Sequence, residues 1–521
     1  MIRLRRLEEF CRRRLAVVDT GLNRLAGWRF NPLYQSGTIV VALLLVLLVT
    51  GIWLLLFYRV GEPWASVARI TADPWLGNWV RGLHRYASDA AAAATILHLF
   101  RMFAQGRSWG PRTLAWVSGL VLLGLLFFSG WTGFVIVWDA FGQQLALEGA
   151  RLLDALPILS EPVRRTFAGD RPIPDAFFFV NLFLHVAVPL GMGLGLWIHV
   201  SKLARPVLLP PRRLTVSVVA LLTAVAVLWP LAMAPEASPF VLPAAVPADW
   251  FYAFWLPVTR RMAAGAVWGL GATVGLALLL VPRWTRRMGA DRPPASVVNR
   301  DLCTGCRQCS LDCPWEAITM APRTDGRADV VAEVNPDLCV SCGICSGSCA
   351  PMGIGPPGRT GRDQLSAIRA WMAGPAFRPG GVVVVACDYG GAPFGDRLRA
   401  EGAGVYDVEC AGNLHTSIIE YLIRAGAGGV LILACPPRDC RNREGPRWLN
   451  ERVYHDREAE LKPRVDRRRV AIGHAGPADL PAALAILRWF QGGIRALEAL
   501  EREREIVLDT ECEPVPVEED E

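Results

Sequence analysis

Six long apolar runs fill the first half of the chain, at about residues 37–58, 87–104, 114–138, 177–200, 214–234 and 262–282. Each is close to the roughly 20 residues that a helix needs to cross the hydrocarbon core of a bilayer, so six membrane-spanning helices are predicted. The second run is the weakest: it is Ala-rich, with His98 inside it and His84 just before it. Residues 1–36 open with MIRLRRLEEFCRRR, an Arg-rich polar pattern that predicts an amphipathic helix on an anionic leaflet, not a cleaved signal segment. After about residue 290 the pattern changes. A Cys-dense stretch covers 297–355, and a Gly/Pro-bearing linker covers 356–380. From 381 to 495, strand-like runs (GVVVVAC, GGVLILAC, RRRVAIG) alternate with helical stretches, as in a small α/β domain with a parallel sheet. An acidic tail occupies 500–521. The fold class expected is an integral membrane all-α bundle over 37–288, followed by a compact α+β domain and a small α/β domain.

Composition agrees. Hydrophobic residues make up 52% of 521, which excludes an ordinary soluble enzyme and the disordered classes. The net charge of +7 is too small and too localised for nucleic-acid binding. Its placement carries topology. Arg3, Arg5, Arg6, Arg12, Arg13 and Arg14 precede the first run, and Arg101, Arg107 and Arg112 lie between the second and third. Lys202, Arg205, Arg212 and Arg213 lie between the fourth and fifth, and Arg283, Arg286 and Arg287 follow the sixth. The positive-inside rule then puts both termini, and the soluble domains, in the cytoplasm of a bacterial inner membrane. Arg260 and Arg261 sit on the opposite side and are outvoted.

The chain has only seven His, and four of them fall on one spacing: His84 and His98 are 14 residues apart, as are His185 and His199. Fourteen residues is about 3.9 turns, so each pair shares a helix face, about 21 Å apart along the axis. The second and fourth helices run in the same direction, so His84 levels with His185 and His98 with His199. That makes two stacked bis-imidazole sites, and neutral imidazole is a ligand of haem iron. The alternative is four unrelated polar residues, but ionisable groups inside membranes are costly and usually functional. Gly37 and Gly51, and Gly119 and Gly133, repeat the same spacing on the first and third helices. A missing Cβ lets a flat macrocycle approach the backbone.

These residues, with Arg81-x-x-His84 and His98-x-x-Arg101, make the first 285 residues resemble cytochrome b of the cytochrome bc complexes. The resemblance implies two b-type haems, the low-potential one on the outer pair His84/His185 and the high-potential one on the inner pair His98/His199. Arg81 and Arg101 match positions whose guanidinium groups pair with haem propionates. The segment PEASPFVLPAAVPADWFYAF resembles the outer loop that carries the family's Pro-Glu-Trp-Tyr quinol motif. Asp249 then stands where the family has a proton-accepting Glu, followed by Trp250 and by Phe251 in place of Tyr, with Ala248 inserted after Pro247. Lys202 and Arg205 are candidates for an inner quinone site. A homodimer is expected by analogy with the same complexes.

The 14 Cys are concentrated in two places. Cys303-x2-Cys306-x2-Cys309-x3-Cys313-Pro314 and Cys339-x2-Cys342-x2-Cys345-x3-Cys349 have the spacing of two-cluster bacterial ferredoxins, in which the fourth Cys of each run ligates the other cluster. Cys303, Cys306, Cys309 and Cys349 are therefore expected on one [4Fe–4S] cluster, and Cys339, Cys342, Cys345 and Cys313 on the second. Zinc would favour CxxC pairs with longer gaps, and disulfides are not expected in a reducing cytoplasm. Cys387, Cys410, Cys435 and Cys440 lie in the last domain, two of them at the ends of strand-like runs. Their spacing alone leaves open a [2Fe–2S] cluster, zinc or four buried thiols. VACDYGG, VECAGN, GAGGVLILACPPRDC and RWLNERVYHDREAELKPRV make residues 381–475 resemble the iron–sulfur delta subunit of methyl-viologen-reducing hydrogenases. That resemblance implies a [2Fe–2S] cluster on these four Cys. Pro436-Pro437-Arg438-Asp439-Cys440 departs from the family's His-Pro-Gly-Asp-Cys. Cys11 and Cys512 read as free thiols, and His415, His455 and His474 as surface or turn residues.

The sequence contains no P-loop or nucleophile constellation. The expected function is a membrane electron-transfer subunit of a quinone-linked oxidoreductase. It exchanges electrons between the quinone pool, dissolved in membrane lipid, and a cytoplasmic flavoprotein of heterodisulfide-reductase type. The runner-up is quinol oxidation with a Rieske or c-type cytochrome partner, and the third reading is a redox-sensing scaffold.

Overall fold

The structure is a computed structural model that describes residues 2–158, 160–167, 173–204, 208–238, 240, 249–286, 293–327, 330–455 and 457–511, without the side chains of 2–5, 202–204 and 504–511. It divides into two units. One holds the described residues through Leu15 with Phe30–Arg286, and the other holds Ala16–Arg29 with the described residues after Arg286.

The first unit is helical. α1 (Ile2–Ala26) begins in it, followed by α2 (Ser36–Phe57), α3 (Pro63–Ala72), α4 (Gly77–Ala104), α5 (Thr113–Val135), α6 (Ala140–Leu153), α7 (Asp175–Ile198), α8 (Arg212–Leu228), α9 (Leu256–Thr259) and α10 (Ala264–Thr285). All six apolar runs are helices. Four stretches, Ser36–Phe57, Gly110–Val135, Asp175–Ser201 and Ala264–Thr285, are long and apolar enough to cross a membrane by length and composition alone. The other two runs are α8, with 17 residues, and α4, with 28. α4 starts ten residues before its apolar run, because Arg81, His84, Arg85 and Asp89 interrupt the hydropathy of a helix whose polar groups are satisfied by neighbours. α7 carries Pro189 and passes at His199 into a π-helical turn that ends at Ala204. Such turns recur at functional sites. α6 is an additional helix. Asp139 caps it by accepting from the amides of Phe141 (3.1 Å) and Gly142 (2.9 Å).

In the second unit, β1 (Val297–Val298) pairs with β4 (Ile354–Gly355) and β2 (Ile318–Pro322) with β3 (Val330–Val334), both antiparallel. Two one-turn helices, α11 (Gln308–Leu311) and α12 (Ile344–Gly347), sit inside the two Cys runs. The expected linker at 356–380 is not one. It contains α13 (Gly361–Met372), started by a Thr360–Asp363 capping box, and Gln364 on it donates to the Asn413 carbonyl at 2.9 Å.

β5 (Val382–Cys387), α14 (Gly395–Ala400), β6 (Gly404–Val408), α15 (Thr416–Arg424), β7 (Gly429–Ala434), α16 (Gly445–Tyr454), β8 (Val470–His474) and α17 (Leu480–Glu511) complete the chain. The sheet is parallel, in the order β6-β5-β7-β8. β5 and β7 are buried at every position, which is why VVVVAC and GVLILA show no alternation. Separate apolar clusters cover the two faces, one around Ile418, Ile432 and Leu449, the other around Leu431, Leu487 and Phe490. α17 runs straight through the boundary expected at 495–500.

Candidate redox sites

The four membrane His are brought together in pairs. The rings of His84 on α4 and His185 on α7 face each other with centroids 6.3 Å apart. His98 and His199 form the second pair, close enough to act on each other electrostatically. A Cβ built on Gly37 would lie 2.8 Å from His98 Cε1, and one on Gly51 3.3 Å from His84 Cε1. On α5, a Cβ on Gly119 would lie 3.7 Å from His199 Cε1, and one on Gly133 2.8 Å from His185 Cε1. Each Gly thus faces its own His.

The sequence reading missed a further layer. The residue just before each Gly carries a hydroxyl placed on the Nδ1 atom of the same His. Ser36 lies 3.4 Å from His98, Thr50 2.9 Å from His84, Ser118 2.8 Å from His199 and Thr132 3.2 Å from His185. His185 Nδ1 also lies 2.9 Å from the Ser129 carbonyl. With Nδ1 so engaged, Nε2 is left as the coordinating atom of each ring.

These residues fit a haem. A metal–imidazole bond is about 2.0–2.1 Å, so two in line, plus the distance back to each ring centre, span roughly 6 Å. The His84–His185 separation meets that requirement. The small-residue cradle gives a macrocycle its space. Because outer-shell partners typically carry 10–100-fold in metal affinity, Thr50→Val is expected to weaken haem retention at the His84/His185 pair by about that factor and to spare the other pair. Haem titration of the purified protein checks this.

The other membrane-side expectations are placed as follows. The Arg81 guanidinium donates to the Leu231 carbonyl at 3.1 Å. Arg101 is fully buried, its guanidinium 4.8 Å from the Tyr34 ring centroid. Asp249 is an anchor in this structure. One carboxylate oxygen pairs with Arg85, which also pairs with Asp89. The other oxygen accepts from the amides of Phe251 (3.2 Å), Tyr252 and Ala253 (2.8 Å). Trp250 is 80% exposed. Arg205, Ala248, Pro247 and the Lys202 side chain lie outside the described residues, as does Cys512.

In the second unit the eight Cys of the two runs line two cavities. One is lined by Cys303, Cys306, Cys309 and Cys349, and the other by Cys313, Cys339, Cys342 and Cys345. Among the described residues no trio of His, Cys, Asp or Glu forms a ready single-ion site. Two sets of four thiols, each gathered from both runs, suit a multi-iron group at each site. Burial pushes the thiols of Cys309 and Cys342 up, and that of Cys345 up to about 12. A bound metal supplies the positive charge that would hold them as thiolates.

The last four Cys gather at the carboxyl ends of β5, β6 and β7, the edge where a parallel sheet places its site. Cys387 ends β5, Cys410 follows β6, and Cys435 and Cys440 follow β7. All four are buried. The hydrogen bond from Cys435 draws Cys387 down to about 7 and also lowers Cys440, while Cys435 itself is pushed up as the donor. A Cβ on Gly445 would lie 2.8 Å from Cys410 Sγ and 3.5 Å from Cys440 Sγ, so the helix start closes on the thiols. Two of the His read as surface or turn residues are not: His415 is only 3% exposed, its Nε2 3.2 Å from the Cys349 carbonyl, and the His474 ring is half-buried, its Nδ1 3.2 Å from the Cys435 carbonyl.

A helical bundle with stacked imidazole pairs, joined to a unit with three four-Cys sites, defines a membrane electron-transfer protein. Comparison with known families specifies its parts. Residues 23–205 match Cytochrome b/b6/petB, residues 302–353 match a 4Fe-4S dicluster domain, and residues 382–498 match the delta subunit of methyl-viologen-reducing hydrogenase. The chain carries these three domains in that order. The cytochrome b match ends before the 235–254 loop, so it does not extend to Asp249. A solved structure titled hyperthermophilic respiratory Complex III is similar over 48% of this chain and 75% of its own, with 17% identity and a TM-score of 0.39. The cytochrome b family implies haem b, and the dicluster domain implies iron–sulfur.

Proposed function

We propose that the protein moves electrons between a cytoplasmic flavoprotein of heterodisulfide-reductase type and membrane quinone. The route uses a [2Fe–2S] cluster on Cys387, Cys410, Cys435 and Cys440, then two [4Fe–4S] clusters, then two b haems. The observation that carries this reading is the fourfold repeat of His, facing Gly and hydroxyl on Nδ1, in a chain that also walls two cavities with four Cys each. Stacked haem pairs suit transfer across a membrane, and the hydrogenase delta-subunit match supports a soluble redox partner. When bound, these groups supply one-electron chemistry. The protein's own residues would hold them: hydroxyls on Nδ1 orient the imidazoles, and burial keeps Cys309, Cys313, Cys345, Cys349 and the last four thiols from water.

Cys342→Ser tests the route. The haem absorption spectrum is expected to be unchanged, while haem reduction from the soluble side falls at least tenfold. Unchanged reduction would remove the iron–sulfur route. Purification in mild detergent tests the partner. A co-purifying flavoprotein supports this reading, and a Rieske protein or c-type cytochrome would replace it with outer-site quinol oxidation.

A further inference from the structure

The second [4Fe–4S] site and the four-Cys site of the last domain meet across an arginine that has no role in holding either set of thiols. Arg452, on α16, is 0% exposed. Its Nη1 donates to the Ile344 carbonyl at 3.3 Å and to Ser348 Oγ at 3.0 Å, and its Nη2 donates to the Gly412 carbonyl at 2.7 Å. Ile344 precedes Cys345, and Gly412 is two residues after Cys410, so one guanidinium ties together two ligand loops. Arg452 Nε is buried with no hydrogen-bond partner among the described residues. Orphaned buried N–H groups are rare.

The two loops approach at backbone distance. Asn413 Nδ2 donates to the Gly343 carbonyl at 3.0 Å. Gly343 has φ +75°, and a Cβ there would lie 2.3 Å from Asn413 Nδ2. A Cβ on Gly412 would lie 3.0 Å from Ile344 Cγ1. The Cys342 and Cys410 thiols are close enough to act on each other electrostatically. Two further arginines of the same domain reach the second site. Arg443 donates to the Pro314 carbonyl at 2.7 Å, and Arg457 pairs with the fully buried Asp312, beside Cys313. Ser348, which accepts from Arg452, donates to the same carboxylate at 2.7 Å, so Asp312 stands against both guanidinium groups, and the trio keeps one net positive charge. At the first site, Arg323 donates to the Cys303 carbonyl at 2.8 Å but is paired with Asp325, and Arg307 is exposed to water. Burial draws the Arg452 guanidinium down to about 10, which leaves it charged at neutral pH. It is therefore a buried cation shared by two sites and balanced only in part by Asp312, which also pairs with Arg457.

We propose that Arg452 is a positioning residue that joins the Cys410 and Cys342 loops into the electron passage between the four-Cys site and the second [4Fe–4S] site, and that its charge raises the reduction potential of both. One electron leaves one group as one arrives at the other, so each reduced state adds a negative charge beside the guanidinium. A fixed cation in a low-dielectric interior favours that state. The inference rests on the cluster assignment of the proposed function.

The test is a redox titration of the intact protein followed by electron paramagnetic resonance. In Arg452→Gln, the two groups are expected to lose at least tenfold in reduction equilibrium, which is about 59 mV for a one-electron couple. The Cys303/Cys306/Cys309/Cys349 group and the haems are expected to be unmoved, and Arg452→Lys to restore part of the shift. Wild-type protein is expected to show magnetic coupling between the two reduced groups. Potentials unmoved in a fully loaded Arg452→Gln protein would overturn the proposal. If that variant does not fold, Arg452→Lys and the wild-type coupling decide, and uncoupled wild-type signals overturn it. Absence of any iron–sulfur signal in loaded wild type would instead sink the cluster reading itself.

Discussion

His98→Ala is expected to lower haem content to about half and to abolish electron passage along the chain, while the spectrum of the His84/His185 pair remains. The reason lies in the separation of the two pairs. Each has its own Gly, its own hydroxyl and its own partner ring, and none of these residues is shared. Alanine at 98 leaves His199 as a single imidazole, and no other membrane His is near enough to replace it, since the remaining two are engaged with each other at 6.3 Å. Gly37→Leu is expected to reproduce the loss at the same pair from the opposite helix, because even its Cβ would lie 2.8 Å from the His98 ring. Gly51→Leu, in contrast, is expected to affect the His84 pair. Haem stoichiometry and low-temperature spectra of the three variants check the assignment. If His98→Ala and Gly37→Leu were to alter different haems, the pairing of α2 with α4 around His98 would fail.

Much of this site is legible in the sequence because it is periodic. A 14-residue repeat survives translation into a helix face, and it appears in both His and Gly. The Cys sets are legible for a similar reason, since two runs of identical x2-x2-x3 spacing mark two equivalent sites. The hydroxyls of Ser36, Thr50, Ser118 and Thr132 show the same repeat, one position before each Gly, but hydroxyl residues are common in membrane helices and the pattern does not stand out. α6 is hidden in the hydropathy because Gln143, Gln144, Glu148 and Arg151 break it. Most of their partners come from distant segments: Arg151 donates to Glu148 at 2.6 Å but also to the Thr259 carbonyl at 2.8 Å, and Gln143 donates to the Ser238 carbonyl at 2.7 Å. β6 is a short, partly polar edge strand. Arg452 gives no signal at all: RWLNERVYH reads as a surface helix, and only the assembled domains show that its guanidinium is buried.

Arg85→Leu is expected to destabilise the membrane unit by about 3–5 kcal/mol, the usual cost of leaving a buried charge without its partner. Two carboxylates depend on this guanidinium, Asp89 one turn on and Asp249 from the distant loop, and the Asp249 side chain is only 9% exposed. The guanidinium also lies 4.5 Å from the Phe134 ring centroid and 5.7 Å from that of Tyr252. Tyr252 in turn donates to the Ser88 carbonyl at 2.9 Å and packs its ring against Gly130. Loss of Arg85 therefore loosens the 249–256 segment from both α4 and α5. Thermal unfolding in detergent reads the effect, and Arg85→Leu combined with Asp249→Asn is expected to recover part of it by removing one orphaned charge. Asp249→Asn alone and Arg85→Lys separate two roles for Asp249. An anchor loses stability and quinone reactivity together when changed to Asn. A proton acceptor loses reactivity at unchanged melting temperature, and it must first let go of Arg85, so Arg85→Lys, whose ammonium is a single point charge without the guanidinium fork, is expected to raise the rate in that case and leave it unchanged in the other.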